Sequence, residues 1–243
     1  MINFKSSKEL AKVIESTNLN NNAKKEDIDQ LINDAIKYNF YSIVVSPYYV
    51  SYAKNKLKNT NIKVGTVVGF PLGHHEIPIK LNEAINSIAN GADELDMVIN
   101  ISAIKAGDYD TVKEEIEQIV NISKNNEDKN VIIKTILETG LLNKREIEEV
   151  SKIASDAGTD FIKTSTGFNN VTGAKATDIR RIKRIVPNTK IKASGGIKDY
   201  KTAFRLLSAG ADHIGTSSGA KIIEEFQKIS ENYNNHKEKT GLI

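Results

Sequence analysis

Short β-branched runs alternate along this chain with longer segments of helical periodicity, and the alternation recurs eight times. The strand-like runs fall at 11–17, 41–46, 62–70, 94–100, 130–138, 160–166, 190–195 and 213–217. Between them, apolar residues recur three and four apart, as in Ile28, Leu31, Ile32 and Ile36, or Val112, Ile116 and Ile119, which places them on one face of a helix. Strict strand–helix alternation predicts parallel strands joined by crossover helices. Each unit takes roughly 30 residues, so eight of them use the whole chain and favour a closed barrel over an open sheet. The expected architecture is a single α/β domain over residues 1–243, a (βα)8 TIM barrel.

A weak repeat supports this. Gly91-Ala92-Asp93, Gly158-Thr159-Asp160 and Gly210-Ala211-Asp212 each follow a helical pattern and precede a strand. A glycine there is the left-handed residue that ends a helix, so the repeat marks three equivalent turns on the bottom face of the barrel. Chemistry is expected at the other end of the strands.

Polar residues late in each strand are the candidates to reach that end: Glu15 and Thr17, Ser46, Asp96 and Asn100, Lys134 and Glu138, Lys163, Lys192, Ser217 and Ser218. Three are lysines in apolar runs, where an ammonium must find a partner or lose basicity. Salt bridges across the barrel to Asp96 or Glu138 would account for a single lysine. Lys163 and Lys192, however, stand at similar places in consecutive strands, and neighbouring strands lie about 4.8 Å apart. Two like charges that close form a poor structural device, but they suit a site that keeps one amine neutral, as a Schiff-base nucleophile requires. Repulsion between the two is expected to supply about two pKa units, with burial adding to it.

Lys192 runs into Ser194-Gly195-Gly196, and the last strand ends in Gly215-Thr216-Ser217-Ser218-Gly219 before a helix. Glycines let N–H groups converge on an anion, a helix N-terminus adds positive potential, and the last two barrel loops often hold phosphate. Asp96 shares a strand face with Val98 and Asn100; it could neutralise a lysine or relay a proton, and the same ambiguity attaches to Lys134 and Glu138.

Composition narrows the classes. With 34 Lys+Arg against 31 Asp+Glu the net charge is +3, and the basic residues form no block, so no nucleic-acid footprint is expected. There is no cysteine, hence no disulfide, thiol nucleophile or cysteine metal site. His74 and His75 are adjacent, a poor arrangement for one ion, and the other histidines are His213 and His236; no metal and no cofactor is expected, and the pair reads as loop residues near a substrate mouth. Residues 1–10 lack the apolar stretch of a secretory signal and no run approaches membrane-spanning length, so a cytoplasmic location without membrane partners is expected. The oligomeric state is open, and a homo-oligomer is compatible.

The segments Thr66-Val67-Val68-Gly69-Phe70-Pro71-Leu72-Gly73, 91–100, Lys163-Thr164-Ser165-Thr166-Gly167-Phe168, Lys192-Ala193-Ser194-Gly195-Gly196-Ile197 and Gly215-Thr216-Ser217-Ser218 together closely resemble the deoxyribose-phosphate aldolase family, class I aldolases of the TIM-barrel type. The resemblance implies reversible cleavage of 2-deoxy-D-ribose 5-phosphate to acetaldehyde and D-glyceraldehyde 3-phosphate. It implies Lys163 as Schiff-base lysine, Lys192 as the lysine that lowers its pKa and Asp96 as proton relay. Gly167, Gly195, Gly196, Ser217 and Ser218 would form the phosphate site, and Thr17 would contact substrate or water. Partners are then small sugar phosphates and aldehydes.

The first strand departs from the family, which usually reads Ile-Asp-x-Thr-Leu-Leu. Here it reads Ile14-Glu15-Ser16-Thr17-Asn18-Leu19, so Glu15 carries the charge one methylene farther out and Asn18 replaces an apolar residue. Val44 stands where the family commonly has cysteine. Two rivals share some of these features: a transaldolase-like or dehydroquinase-like Schiff-base barrel, and a non-catalytic sugar-phosphate-binding barrel.

Overall fold

A computed structural model describes residues 4–124, 130–169 and 172–240, with 233–240 described by their backbone alone. Eight parallel strands close into a barrel in chain order: β1 Ile14–Asn18, β2 Ser42–Val45, β3 Lys63–Val68, β4 Glu94–Val98, β5 Ile132–Ile136, β6 Phe161–Lys163, β7 Lys190–Ser194 and β8 His213–Thr216. Around them run α1 Ser7–Ala11, α2 Lys25–Tyr38, α3 Val50–Lys56, α4 Ile77–Ala89, α5 Ile101–Ala106, α6 Tyr109–Lys124, α7 Lys144–Asp156, α8 Ala176–Ile185, α9 Tyr200–Ser208 and α10 Gly219–Thr240. The expected fold class is therefore borne out. The strands are shorter than the apolar runs, because residues such as Ala11 in α1 and Phe70 in a loop are apolar for packing and not for pairing.

Alternation along each strand sorts the side chains into two populations. Outward residues such as Leu95, Met97, Ile133, Ile162 and Ile191 join the apolar core between barrel and helices. Inward residues include six buried charges, Glu15, Glu94, Asp96, Lys134, Lys163 and Lys192, among apolar neighbours such as Val44, Val98 and Phe161. In α2 the buried face is Ile28, Leu31, Ile32 and Ala35, while Ile36 remains 48% exposed, one position off the expected stripe.

The three repeated turns do more than end helices. Gly91, Gly158 and Gly210 have φ of 99°, 87° and 112°, as a left-handed cap requires. The following aspartates then accept the backbone N–H of the preceding strand: Val64 to Asp93, Ile133 to Asp160 and Ile191 to Asp212, each at 2.8 Å. Each aspartate thereby satisfies a strand-end donor, which fixes where neighbouring strands start and sets the register that lines up the site.

Candidate active site

Register brings the charged residues together. Asp96 stands opposite Lys134, Lys163 opposite Lys192, and Lys192 opposite His213. Lys163 Nζ and Lys192 Nζ each donate to Asp96 Oδ2 at 2.7 Å, so the two nitrogens lie no farther apart than twice that distance. Lys192 also donates to Glu15 Oε2. Lys134 donates to Glu15 Oε2 at 2.7 Å and to Glu94 Oε2 at 2.6 Å. Three ammonium groups and three carboxylates thus form one closed, buried network. Gly215 is part of its construction: a Cβ there would sit 2.5 Å from Ser194 Oγ and 2.8 Å from Lys192 Cε, so glycine leaves room for both side chains.

The same network sets basicity. Burial is the largest influence on Lys163 and drives it down; Asp96 opposes this, Lys192 reinforces it, and the amine titrates at about 8. Repulsion from Lys192 is therefore the lesser cause, a correction to the expectation that it would dominate, because Asp96 lies between the two charges. Burial works against the charge of Asp96 as well, yet Lys163, Lys192 and Lys134 outweigh it and hold the carboxyl at about 2. Lys134 is likewise disfavoured by burial but is raised above the ordinary lysine range by Glu15, Glu94 and Asp96. Among these two lysines, only Lys163 is brought toward neutrality near physiological pH.

Above Lys163 a cavity of about 320 Å³ opens at the mouth, lined by Lys163, Thr17, Gly167, Gly195, Gly196 and Ser217 among others. Gly195 and Gly196 have φ of 89° and 73°, two consecutive left-handed residues that only glycine adopts readily. A side chain on Gly173 would run into the Gly195 carbonyl, so the loop after β6 lies flat against the loop after β7. Asp96 and Lys192 lie beneath the cavity floor, in contact with Lys163. Ser218 lines a neighbouring cavity of about 470 Å³ instead, and its N–H donates to Thr216 Oγ1 at 2.9 Å.

Other candidates fall elsewhere. Among the described residues Glu138 pairs with no lysine: β5 ends at Ile136, the chain turns left-handed at Glu138 (φ 53°), and its Oε2 accepts from Thr166 N, the Thr166 hydroxyl and Asn169 Nδ2. That carboxylate holds the Gly167 loop. The Asn100 side chain caps α5 by accepting from Ala103 N at 3.1 Å. Ser46 lines a more apolar cavity beside the mouth, with Tyr48, Phe70 and Phe168. His74 and His75 are exposed, and among the described residues no group of three or more His, Cys, Asp or Glu is placed to hold a metal.

Sequence reasoning missed three features. Glu94 shares the lysine network, though its place two residues before Asp96 puts it on the same strand face. His213 Nδ1 lies 2.8 Å from Glu15 Oε1. Lys80 and Glu115 form a buried pair at 2.6 Å outside the barrel, donating to Val98 O and accepting from Asn100 N, so they brace the end of β4. A lysine at a helical position carries no signal of such burial.

A parallel barrel built round a buried amine of lowered basicity, opening beneath glycine-rich loops, suits the class of lysine-dependent barrel lyases. Comparison with known proteins places the chain within that class. Residues 10–225 match the model of the DeoC/LacD family aldolases, and the chain belongs to that family. It is 49% identical over 219 residues to the deoxyribose-phosphate aldolase of Caldicellulosiruptor saccharolyticus, covering 90% of this chain and 98% of that one. It is 46% identical to the deoxyribose-phosphate aldolase of Thermococcus gammatolerans, covering 89% and 96%. Among solved structures it is similar to the tetrameric deoxyribose phosphate aldolase of Aeropyrum pernix, with a TM-score of 0.85, 32% identity and coverage of 93% and 94%. The chain is an aldolase, as the resemblance implied.

Proposed function

We propose that this chain cleaves 2-deoxy-D-ribose 5-phosphate reversibly to acetaldehyde and D-glyceraldehyde 3-phosphate through a Schiff base on Lys163. The observation that carries the reading is the position of Lys163, buried, titrating at about 8 and lining the mouth cavity. A neutral fraction of that amine attacks the C1 aldehyde of the open-chain sugar. Loss of water gives a protonated imine, a better electron sink than the carbonyl. Removal of the C3 hydroxyl proton falls to a water held against Asp96 and Lys192. Asp96 suits this role because, among the described residues, its buried Oδ1 has no hydrogen-bond partner and only Lys134 at 3.8 Å, while Oδ2 takes both lysines. The C2–C3 bond then breaks, D-glyceraldehyde 3-phosphate departs, and the enamine of acetaldehyde is protonated at carbon and hydrolysed.

The phosphate belongs in the same cavity, against Gly167, Gly195, Gly196 and Ser217, with Thr17 also in the lining. Binding there orients the sugar at a distance from the reacting bond and lowers the entropic part of the barrier. Ser218 flanks this site: it lines the neighbouring cavity, and its N–H donates to Thr216 Oγ1, which leaves Ser217 as the serine against the phosphate. A single-domain chain, a cytoplasmic location and a homo-oligomer complete the proposal. Among the described residues no helix is long and apolar enough to cross a membrane, and the related Aeropyrum pernix enzyme is tetrameric.

The decisive test is borohydride reduction in the presence of acetaldehyde followed by peptide mass mapping. An adduct on Lys163, together with product formation from deoxyribose 5-phosphate, is the expected result. An adduct on Lys134 or Lys192 instead would overturn the assignment of roles.

A further inference from the structure

The lysine network does not stop at the residues that face the mouth. Glu15 gives its two oxygens to different partners. Oε2 accepts from Lys134 and Lys192, and Oε1 meets His213 Nδ1 at 2.8 Å. His213 opens β8, so it lies at the bottom of the barrel, opposite the mouth cavity. Its ring is fixed there between Tyr41, edge-on with centroids 4.2 Å apart, and Phe161 at 4.8 Å. Tyr41 is held in turn by Lys63 Nζ, which donates to its hydroxyl at 2.7 Å. The side chain of His213 is 12% exposed, while that of Glu15 is fully buried.

We propose that His213 is a positioning residue of the lysine site, holding the Glu15 carboxylate from below so that its other oxygen meets Lys192. This rests on the assignment of Lys163, Lys192 and Asp96 above. An ionised carboxylate only accepts hydrogen bonds, so the contact places the proton of a neutral His213 on Nδ1 and persists when the ring is protonated. Among the described residues, His213 is the hydrogen-bond partner of Glu15 Oε1. Without it, a buried carboxylate oxygen is left unpaired and the group is free to turn toward Lys134. Lys192 then leans on Asp96 alone and draws away the oxygen that Lys163 shares. The chain of contacts from His213 through Glu15, Lys192 and Asp96 to Lys163 carries the effect to the reacting nitrogen. Of the cavity lining only Lys163 is on this path, and the residues assigned to phosphate are not, so turnover and not affinity bears the loss.

Two polar substitutions of similar bulk separate positioning from packing. His213→Asn puts an amide N–H near the place of Nδ1, whereas His213→Gln puts it near the place of Nε2. In retro-aldol assays with 2-deoxy-D-ribose 5-phosphate, His213→Asn should keep kcat close to wild type. His213→Gln should lower kcat about tenfold, the usual scale for losing a hydrogen bond to a charged group, with KM changed by less than about twofold. Borohydride trapping with acetaldehyde, run on the wild type alongside, distinguishes the levels of the argument. A wild-type adduct on Lys163 with equal kcat in the two variants, or with kcat and KM changing together, overturns the role of His213 and leaves the site intact. Absence of that adduct in the wild type overturns the site and this role with it.

Discussion

Replacing Lys192 by Met tests why two lysines share one carboxylate oxygen. Met keeps most of the stem volume and removes the charge. Lys163 and Lys192 each lie 2.7 Å from Asp96 Oδ2. At a separation of about 5 Å and an effective dielectric near 20, their repulsion is roughly 3 kcal/mol, or about two pKa units. Losing Lys192 also releases Asp96 to serve Lys163 alone, which acts in the same direction. Lys163 should therefore rise from about 8 toward the ordinary lysine value, although burial, the larger cause of its depression, remains. A two-unit rise reduces the neutral amine at pH 7 about a hundredfold. The assay is the initial rate of borohydride-trapped adduct with acetaldehyde from pH 6 to 10, with the modified peptide identified by mass. The profile of Lys192→Met should move to higher pH by one to two units. Superimposable profiles would refute the electrostatic argument and leave Lys192 a role in holding substrate or water.

Further outcomes follow from the same geometry. Because Glu15 spans from Lys192 to His213, Glu15→Asp should lower kcat along with Glu15→Gln, contrary to the mild effect that charge balance alone would give; wild-type turnover in Glu15→Asp would show that the span is dispensable. Gly215→Ala brings a methyl to 2.8 Å from Lys192 Cε, so it should cost about 1–3 kcal/mol in urea melts and reduce kcat by displacing that lysine; unchanged kcat in the folded variant would argue against the placement. Glu15 and Asp96 titrate below their ordinary values when folded, with Asp96 at about 2. The stability they contribute is complete above about pH 5 and is lost as pH falls toward 2. Urea midpoints measured downward from pH 5 should decline, less steeply in Glu15→Gln, and equal slopes would remove Glu15 from the account.

The barrel was legible because its signal is repeated. Eight alternations and three Gly-x-Asp turns each restate the same unit, and errors at strand ends do not disturb the count. Lys163 and Lys192 were legible as a pair because they stand at similar places in consecutive strands, each just after an apolar residue. What bridges them was not, since a side chain's partner across a barrel depends on shear and on reach. Asp96 rather than Glu138 meets the lysines because β5 ends two residues before Glu138 and the backbone there turns left-handed. Glu15 reads as a lengthened carboxylate, and only the structure shows a histidine 198 residues away at the end of that extra reach. Lys80 and Glu115 left no trace, because each helix taken alone shows a charged residue among others.

The even count of charges inside the barrel has a consequence for the catalytic cycle proposed above. Lys134, Lys163 and Lys192 face Glu15, Glu94 and Asp96, three against three. A resting ammonium and a protonated imine put the same unit of charge on the same nitrogen. The barrel is therefore already polarised for the intermediate and needs no rearrangement when the bond to substrate forms. Two stages break the balance, the free amine and the enamine, and each leaves the enclosed cluster one negative charge in excess. Burial offsets this for the amine, which is why Lys163 titrates at about 8, while the enamine restores the balance by taking a proton at carbon or, in the synthetic direction, an aldehyde. The barrel interior thus acts as a charge template whose vacancy matches the iminium.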